Sequence, residues 1–431
     1  MPRLMSSPAS PAVQHAAKVA SLGAGTPVDA AKRSRWISAA VVFAGQALHS
    51  LTFVGLALFL PLIREDLQIS YAQAGVLSAA ATLSYALGQI PAGFLADRFG
   101  PRRLFFLGML GWSVLSLTLG LIHTFWLAVL NQFVAGAFRA LLFAPGLALL
   151  AACFPRERGA TAMSLYMLGA YTGNILLALV GPALAVALGW RATFMLFAVI
   201  GIFAAMALYS AGSEPVRNLT TRPFAVGEAL RHFRHKVLWV CSALQIVRFS
   251  AVTGFVLWLP SMLVADRGFS LQAAGWVIAL GAALLALANP LGGYMSDRLG
   301  SPPVVIGVAL AGLAGACVLL VWAEGTIPLL MAIAFGSIFM QVYFGPLSHV
   351  PVEVVGQRAA GSVVGFSNLF ANLGGLATAY GLGVVKDMTG SFKWGFLAIG
   401  GLCVIGVVLS ILLARWREQA LQIPSSDSHL H

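Results

Sequence analysis

The chain has 431 residues, 59% hydrophobic and 9% charged, where an ordinary soluble domain carries about 25% charged residues. Its mean hydropathy is +0.88 and its formal net charge +12. A soluble enzyme is excluded, and so is a disordered or disulfide-built secreted chain, because 46 Gly and 20 Pro are scattered through apolar runs that also hold the four cysteines. What remains is an all-α polytopic membrane protein, since apolar stretches of about 20 residues recur and only closed hydrogen-bonding structures survive in lipid.

Residues 1–35 are rich in Ala, Ser and Pro and carry no apolar core, which predicts a flexible tail and not a signal peptide. The apolar runs then predict twelve spans, at 36–62, 74–96, 103–122, 125–153, 159–188, 192–211, 237–264, 272–295, 302–322, 326–352, 360–386 and 393–414. They group into a six-helix bundle over 36–211, a basic linker over 212–236, a second bundle over 237–415 and a tail over 416–431. With the N-terminus inside, nineteen of the 26 Lys and Arg fall on the cytoplasmic side and five outside, with two left within spans. The positive-inside rule therefore puts both termini in the cytoplasm. It also accounts for most of the net charge, which gives no independent support for a nucleic-acid partner. Asn218-Leu219-Thr220 matches a glycosylation sequon but falls in the inward linker, so it is discounted.

The chain repeats itself. Gly93-Phe94-Leu95-Ala96-Asp97-Arg98-Phe99-Gly100 returns 200 residues later as Gly293-Tyr294-Met295-Ser296-Asp297-Arg298-Leu299-Gly300. Phe59-Leu60-Pro61 returns at an offset of 199 as Trp258-Leu259-Pro260. Two parallel six-span repeats about an axis normal to the membrane follow from this.

At these residues the sequence resembles the major facilitator superfamily, whose signature G-x-x-x-D-R-x-G with following basic residues is met by Gly93, Asp97, Arg98, Gly100, Arg102 and Arg103. Phe154-Pro155-Arg156-Glu157-Arg158-Gly159, Gly189-Trp190-Arg191 and Asp387-Met388-Thr389-Gly390 extend the resemblance along the chain. The second copy keeps Asp297 and Arg298 but continues Ser301-Pro302-Pro303, so its basic part is lost. These residues form a charged group at the cytoplasmic surface, next to a helix start, and are candidates for gating between two conformations. Ordinary positive-inside topology is the competing reading of the same charges.

The resemblance implies that spans one, four, seven and ten line a central cavity. All fourteen acids fall in tails, loops or span ends, whereas Arg139 and Arg248 lie deep within spans four and seven. Even on the gentlest insertion scale such a charge costs at least ~2.5 kcal/mol, and it marks a water-filled path or a partner. A guanidinium is a fixed cation with a planar donor fork, so two of them in an acid-free cavity imply an anionic substrate, most simply a carboxylate. Neutralisation by helix carbonyls or by Gln132 and Gln245 is the alternative. Gln46 with His49, Gln132 with Arg139, and Gln245 with Arg248 each share a helix face, and Gln341 and Tyr343 join them on span ten. His49 is a candidate proton carrier or a packing histidine, and His349 with Glu353 is a second proton or gate candidate. Phe143, Phe255 and Trp258 either contact an apolar part of the substrate or pack, while Asn368 and Asn372 fit interhelical hydrogen bonding as well as substrate contact.

Within the superfamily the pattern looks most like the organic-anion carriers. Arg248, twelve residues before Pro260, is similar to their span-seven arginine, but Arg139 stands near where they carry a glutamate. The expectation is a monomeric secondary transporter in a bacterial inner membrane. It moves a mono- or dicarboxylate by proton symport or anion exchange and holds no metal or cofactor. A drug/proton antiporter is the rival, yet the chain lacks a buried acid and offers only Gly181-Pro182 of the span-five motif such proteins carry. A carrier of nitrate or cyanate stays open, since two arginines would hold those too. A membrane sensor would need an added signalling domain, and no nucleophile motif, metal spacing or phosphate loop points to an enzyme.

Overall fold

Each of the twelve expected spans falls on helix in the computed structural model, which describes residues 27–154, 159–211, 235–355 and 360–422. In chain order the helices are α1 (Pro27–Leu58), α2 (Leu60–Leu67), α3 (Tyr71–Phe99), α4 (Pro101–Leu119), α5 (Phe125–Ala151) and α6 (Gly159–Ala211). They continue as α7 (Lys236–Thr253), a π-helical turn (Gly254–Trp258), α8 (Leu259–Ala265), α9 (Leu271–Leu299) and α10 (Pro302–Trp322). The series closes with α11 (Thr326–Val342), α12 (Phe344–Val355), α13 (Ala360–Thr389) and α14 (Lys393–Gln422). Helix α6 crosses twice, because Gly189 takes φ 82° and ψ 156° and bends it. Only a residue without a Cβ adopts that conformation cheaply. The residues expected in the first tail up to 26, in most of the linker (212–234), at 155–158 within Phe154–Gly159, at Asn218 and at 423–431 lie outside the described residues.

The repeat read in the sequence is visible in the packing. In the first half α1 lies on α6, α3 on α5, and α4 on α5 and α6. In the second half α7 lies on α13, α9 on α11, and α10 on α11 and α14. The breaks repeat too. Phe59, next to Pro61, separates α1 from α2, and the π turn precedes α8, whose first turn holds Pro260. Pro260 has no N–H for the carbonyl four residues back and its ring crowds that carbonyl, so the helix widens and the Leu259 N–H reaches Gly254 O, five residues earlier. A third break at Tyr343 (φ −91°, ψ 1°) divides α11 from α12.

Two repeat-related glycines bring the halves into backbone contact. Gly75 on α3 sits against the Ala379 carbonyl of α13, and its repeat partner Gly275 on α9 sits against the Ala178 carbonyl and Pro182 of α6. A Cβ at either glycine would collide with that backbone. Close to the first contact, both carboxylate oxygens of Asp387 accept from the Tyr71 (3.0 Å) and Ala72 (2.7 Å) amides that open α3. These orphan donors at a helix start favour a negative partner. Ala57, Leu60, Ile69 and Ala74 of the first half belong to the same buried cluster as the core of the second. The halves are therefore closed on each other at the end that carries the 68–70, 266–270 and 390–392 turns. At the opposite end, Gly93 and Gly293 face open space, and Phe94 and Tyr294 are 55% and 60% exposed.

Two arginines brace the closed end. Arg191 donates to the Gly120 (3.1 Å) and Ile122 (2.6 Å) carbonyls and pairs with Asp66 at 2.6 Å. Arg267 donates to the Leu320 (2.7 Å), Val321 (3.1 Å) and Ala323 (2.9 Å) carbonyls. Each guanidinium thus meets the carbonyl end of a helix, α4 or α10, where the dipole favours a cation. Because Gly75 and Gly275 set the approach of the halves, Gly75→Val and Gly275→Val should each cost about 1–3 kcal/mol by overpacking. In detergent this is read as a melting temperature several degrees lower, whereas Gly93→Val, at the open end, should leave it unchanged.

Candidate anion site between the halves

Arg139 is the fifteenth residue of the 27-residue α5, and Arg248 the thirteenth of the stretch from Lys236 to Ala265, so both lie near mid-membrane at 1.5 Å per residue. Neither is paired with a carboxylate in the described residues, whose ion pairs sit at helix ends: Arg191 with Asp66, Lys386 with Asp266, and Arg417 with Glu353.

Arg139 is partly exposed and looks into its own bundle. Its guanidinium carbon lies 3.6 Å from the centre of the Phe53 ring on α1 and 4.2 Å from that of Tyr85 on α3. Tyr166 of α6 is within electrostatic reach. His49, one turn before Phe53, is 7% exposed and leaves its Nδ1 without a partner. Its ring stacks on Phe53 at 5.9 Å and meets Trp112 of α4 edge-on at 4.8 Å. The Trp112 Nε1–H donates to Thr52 Oγ1 at 2.6 Å, which fixes this aromatic group against α1. Gln46 shares the face of His49 and also has an unpartnered buried Oε1. Gln132 lies apart from Arg139 in its bonding. Its amide donates to Asn131 Oδ1 at 3.1 Å, and Asn131 in turn donates to Thr118 and the Leu115 carbonyl, a structural chain between α5 and α4.

Arg248 is 8% exposed and donates from Nε to Gln245 Oε1 at 2.7 Å, as their spacing on one helix face suggests. The Phe344 ring centre lies 4.7 Å from its guanidinium carbon and that of Phe249 5.6 Å. Tyr343, wholly buried at the α11–α12 break, and Tyr171 of α6 are its electrostatic neighbours. Tyr171 belongs to the first half and Arg248 to the second, so this cation faces the interface between them. The Tyr343 hydroxyl has no partner, and Gln341, two residues earlier, is 9% exposed.

The other sequence candidates fall elsewhere. Gly100 (φ 87°) links α3 to α4 with Arg98 beside Phe99, and Arg102 donates to the Tyr209 carbonyl, tying α4 to the end of α6. Only the backbone of Asp97 is described, Arg103 is exposed, and Asp297 is exposed beside Arg298, whose Nη1 donates to the Tyr294 hydroxyl at 3.1 Å. This group sits at the end opposite the Gly75 and Gly275 contacts. Glu353 holds Arg417 of α14 bidentately at 2.8 and 2.9 Å, with His349 exposed one turn earlier. Phe255 packs on Phe396 at 5.6 Å, and Trp258 donates to the Ala379 carbonyl at 3.2 Å, so both hold the second bundle together. Phe143 is half-buried edge-on to Tyr166 at 5.8 Å. Asn372 donates to the Asn368 carbonyl at 2.8 Å and keeps an unpartnered Oδ1.

Sequence reasoning passed over Phe53, Tyr85, Tyr171 and Asn174. Asn174 has a buried Oδ1 without a partner, and its signal was legible, since it is the only asparagine between Gly159 and Ala211. Buried unpartnered polar atoms cost free energy unless something completes them, and here they occur in one membrane interior with two arginines.

The sequence profile described as Major Facilitator Superfamily matches residues 42–379 and 263–429. A nitrite extrusion protein of Bacillus subtilis is 25% identical over 367 residues, covering 83% of this chain and 89% of that protein. A hexuronate transporter of the same organism is 25% identical over 396 residues, with coverages of 87% and 93%. A probable galactarate/D-glucarate transporter of Escherichia coli is 27% identical over 393 residues, with coverages of 81% and 86%. Among solved structures, a bacterial homologue of the human lysosomal transporter Spinster, inward-facing and occupied, superposes with a TM-score of 0.72 at 19% identity, over 88% of this chain and 96% of that one.

If the absence of a carboxylate is what leaves Arg248 able to take an anion, Gln245→Glu should supply an internal counter-ion. The variant should melt higher than the parent without ligand and lose the stabilisation that added carboxylates give the parent, both read by thermal unfolding in detergent.

Proposed function

The chain belongs to the Major Facilitator Superfamily, and from that premise we propose that it is a secondary transporter carrying a small organic anion by alternating access between its halves. The observation that carries the reading is the pair of mid-membrane arginines without a carboxylate partner. One faces the inter-half surface and the other lies within the first bundle near His49, whose Nδ1 has no partner. The polar atoms left open at Gln46, Asn174, Asn372 and Tyr343 match a substrate with hydroxyl groups along its chain. Relatives named for hexuronate, galactarate/D-glucarate and D-galactonate support a sugar acid. Relatives named for nitrite keep a small inorganic anion as the second reading, and so many open amide and hydroxyl groups disfavour it.

The protein works as a monomer in a bacterial inner membrane. Its termini, the linker 212–236 and the Gly93–Arg103 and Asp297–Arg298 groups face the cytoplasm, a reading supported by the distribution of Lys and Arg. The structure is then open to the cytoplasm. Transport is coupled to protons or to a counter-anion, with His49 the first candidate carrier and His349 with Glu353 the second.

The test is a thermal-shift panel of mono- and dicarboxylates, nitrate, cyanate and cationic drugs, with Arg139→Ala and Arg248→Ala in parallel. Carboxylates should stabilise the parent, and either substitution should abolish the shift. Stabilisation by cations alone, or by anions acting equally on both variants, would overturn the proposal.

A further inference from the structure

Helix α3 does not close its own N-terminus. The amides of Ser70, Tyr71, Ala72 and Gln73 have no partner within the helix ladder. Ser70 and Gln73 settle two of them by exchange, since the Ser70 hydroxyl accepts from the Gln73 amide at 3.2 Å and the Gln73 side chain accepts from the Ser70 amide at 2.9 Å. The amides of Tyr71 and Ala72 are left over. The other half of the molecule takes them up, one on each carboxylate oxygen of Asp387, at 3.0 and 2.7 Å. The backbones meet closely enough for that reach, because Ala379, Gly383 and Asp387 follow one another at four-residue spacing on α13. A Cβ at Gly383 would collide with the Tyr71 carbonyl, as one at Gly75 would with that of Ala379.

The other ion pairs of this end, Arg191 with Asp66 and Lys386 with Asp266, each lie within one half. Among the described residues, Asp387 therefore makes the charged hydrogen bonds that cross between the halves here. The second seam is built without them. Helix α9 opens on Ser270, whose hydroxyl accepts from the Ala273 amide at 3.2 Å, and the position on α6 that matches Asp387, 200 residues earlier, is Ala187.

We infer that Asp387 is a releasable latch, which holds this end shut by completing a helix start of the opposite half and must let go before the halves can part there. A carboxylate on the positive end of a helix gives a strong, directional hold. Asp387 is also exposed, so water can satisfy carboxylate and amides alike once the seam opens. The hold is firm but reversible. The inference rests on the alternating-access reading above, and it names a residue that sets the balance between the two states.

The test needs no substrate. Spin labels at His123 and Glu324, exposed turn residues of the first and second halves at this end, report the separation by pulsed dipolar spectroscopy on the full chain with its four cysteines replaced by alanine. Asp387→Ala and Asp387→Asn should raise the ratio of long-distance to short-distance populations about fivefold or more. Gln73→Glu keeps the capping box and its helix start, yet sets a second negative charge beside Asp387, so it should raise the ratio about twofold or more. Met388→Ala, at the neighbouring 80% exposed residue, should leave it unchanged. Gly75→Val wedges the same seam and shows whether this end can open at all. If Gly75→Val yields the long distance and the Asp387 and Gln73 variants do not, the latch is overturned. If none of these variants yields it, the alternating-access reading falls and the latch with it.

Discussion

Two guanidinium groups without a carboxylate to balance them are the constraint from which the account of this protein follows. Each costs at least ~2.5 kcal/mol at mid-membrane even on the gentlest scale, and among the described residues aromatic faces and one glutamine offset that cost. Phe53 and Tyr85 cover Arg139, while Gln245, Phe344 and the nearby Tyr171 and Tyr343 attend Arg248. These neighbours orient the cations without neutralising them. On the proposed reading an anion completes this site, and its open amide and hydroxyl groups add places for a substrate that carries hydroxyls.

The scaffold serves this arrangement by repeating itself imperfectly. Backbone features recur at offsets near 200: the Phe59 and Trp258 breaks, the Gly75 and Gly275 contacts, and the Gly100 and Gly300 turns, both with positive φ. The mid-membrane arginines do not recur. At the offset of 199 the counterpart of Arg248 is His49, and no arginine matches Arg139 in the second half. Closure at one end uses main-chain contacts at glycines and the Asp387 cap of α3. A symmetric frame that closes at either end around an asymmetric polar centre is the arrangement alternating access requires.

Much of this was legible in the residues. Apolar runs, the double signature and the Pro61 and Pro260 positions set the spans and the repeat, because lipid leaves the backbone few choices. Arg139 and Arg248 stood out because charge in an apolar run is rare. What surrounds them did not, since Phe53 is one of 27 phenylalanines and Tyr85 one of eight tyrosines in spans where aromatics also pack and anchor. Gln132 shares a helix face with Arg139 yet bonds to Asn131, because helix periodicity fixes a face and not a partner. Glu353 reads in the sequence as a proton or gate candidate with His349, whereas its carboxylate holds Arg417, 64 residues away in the chain. The π turn after Arg248 was hidden as well, since Gly254 and Pro260 also fit an ordinary kink.

The most direct test of the central claim is counterflow in proteoliposomes loaded with unlabelled D-galactonate and challenged with a trace of labelled D-galactonate outside. Transient accumulation of label that is lost in Arg248→Ala is the result this account predicts. No accumulation of any carboxylate, together with counterflow of a labelled lipophilic cation through the same protein, would contradict it.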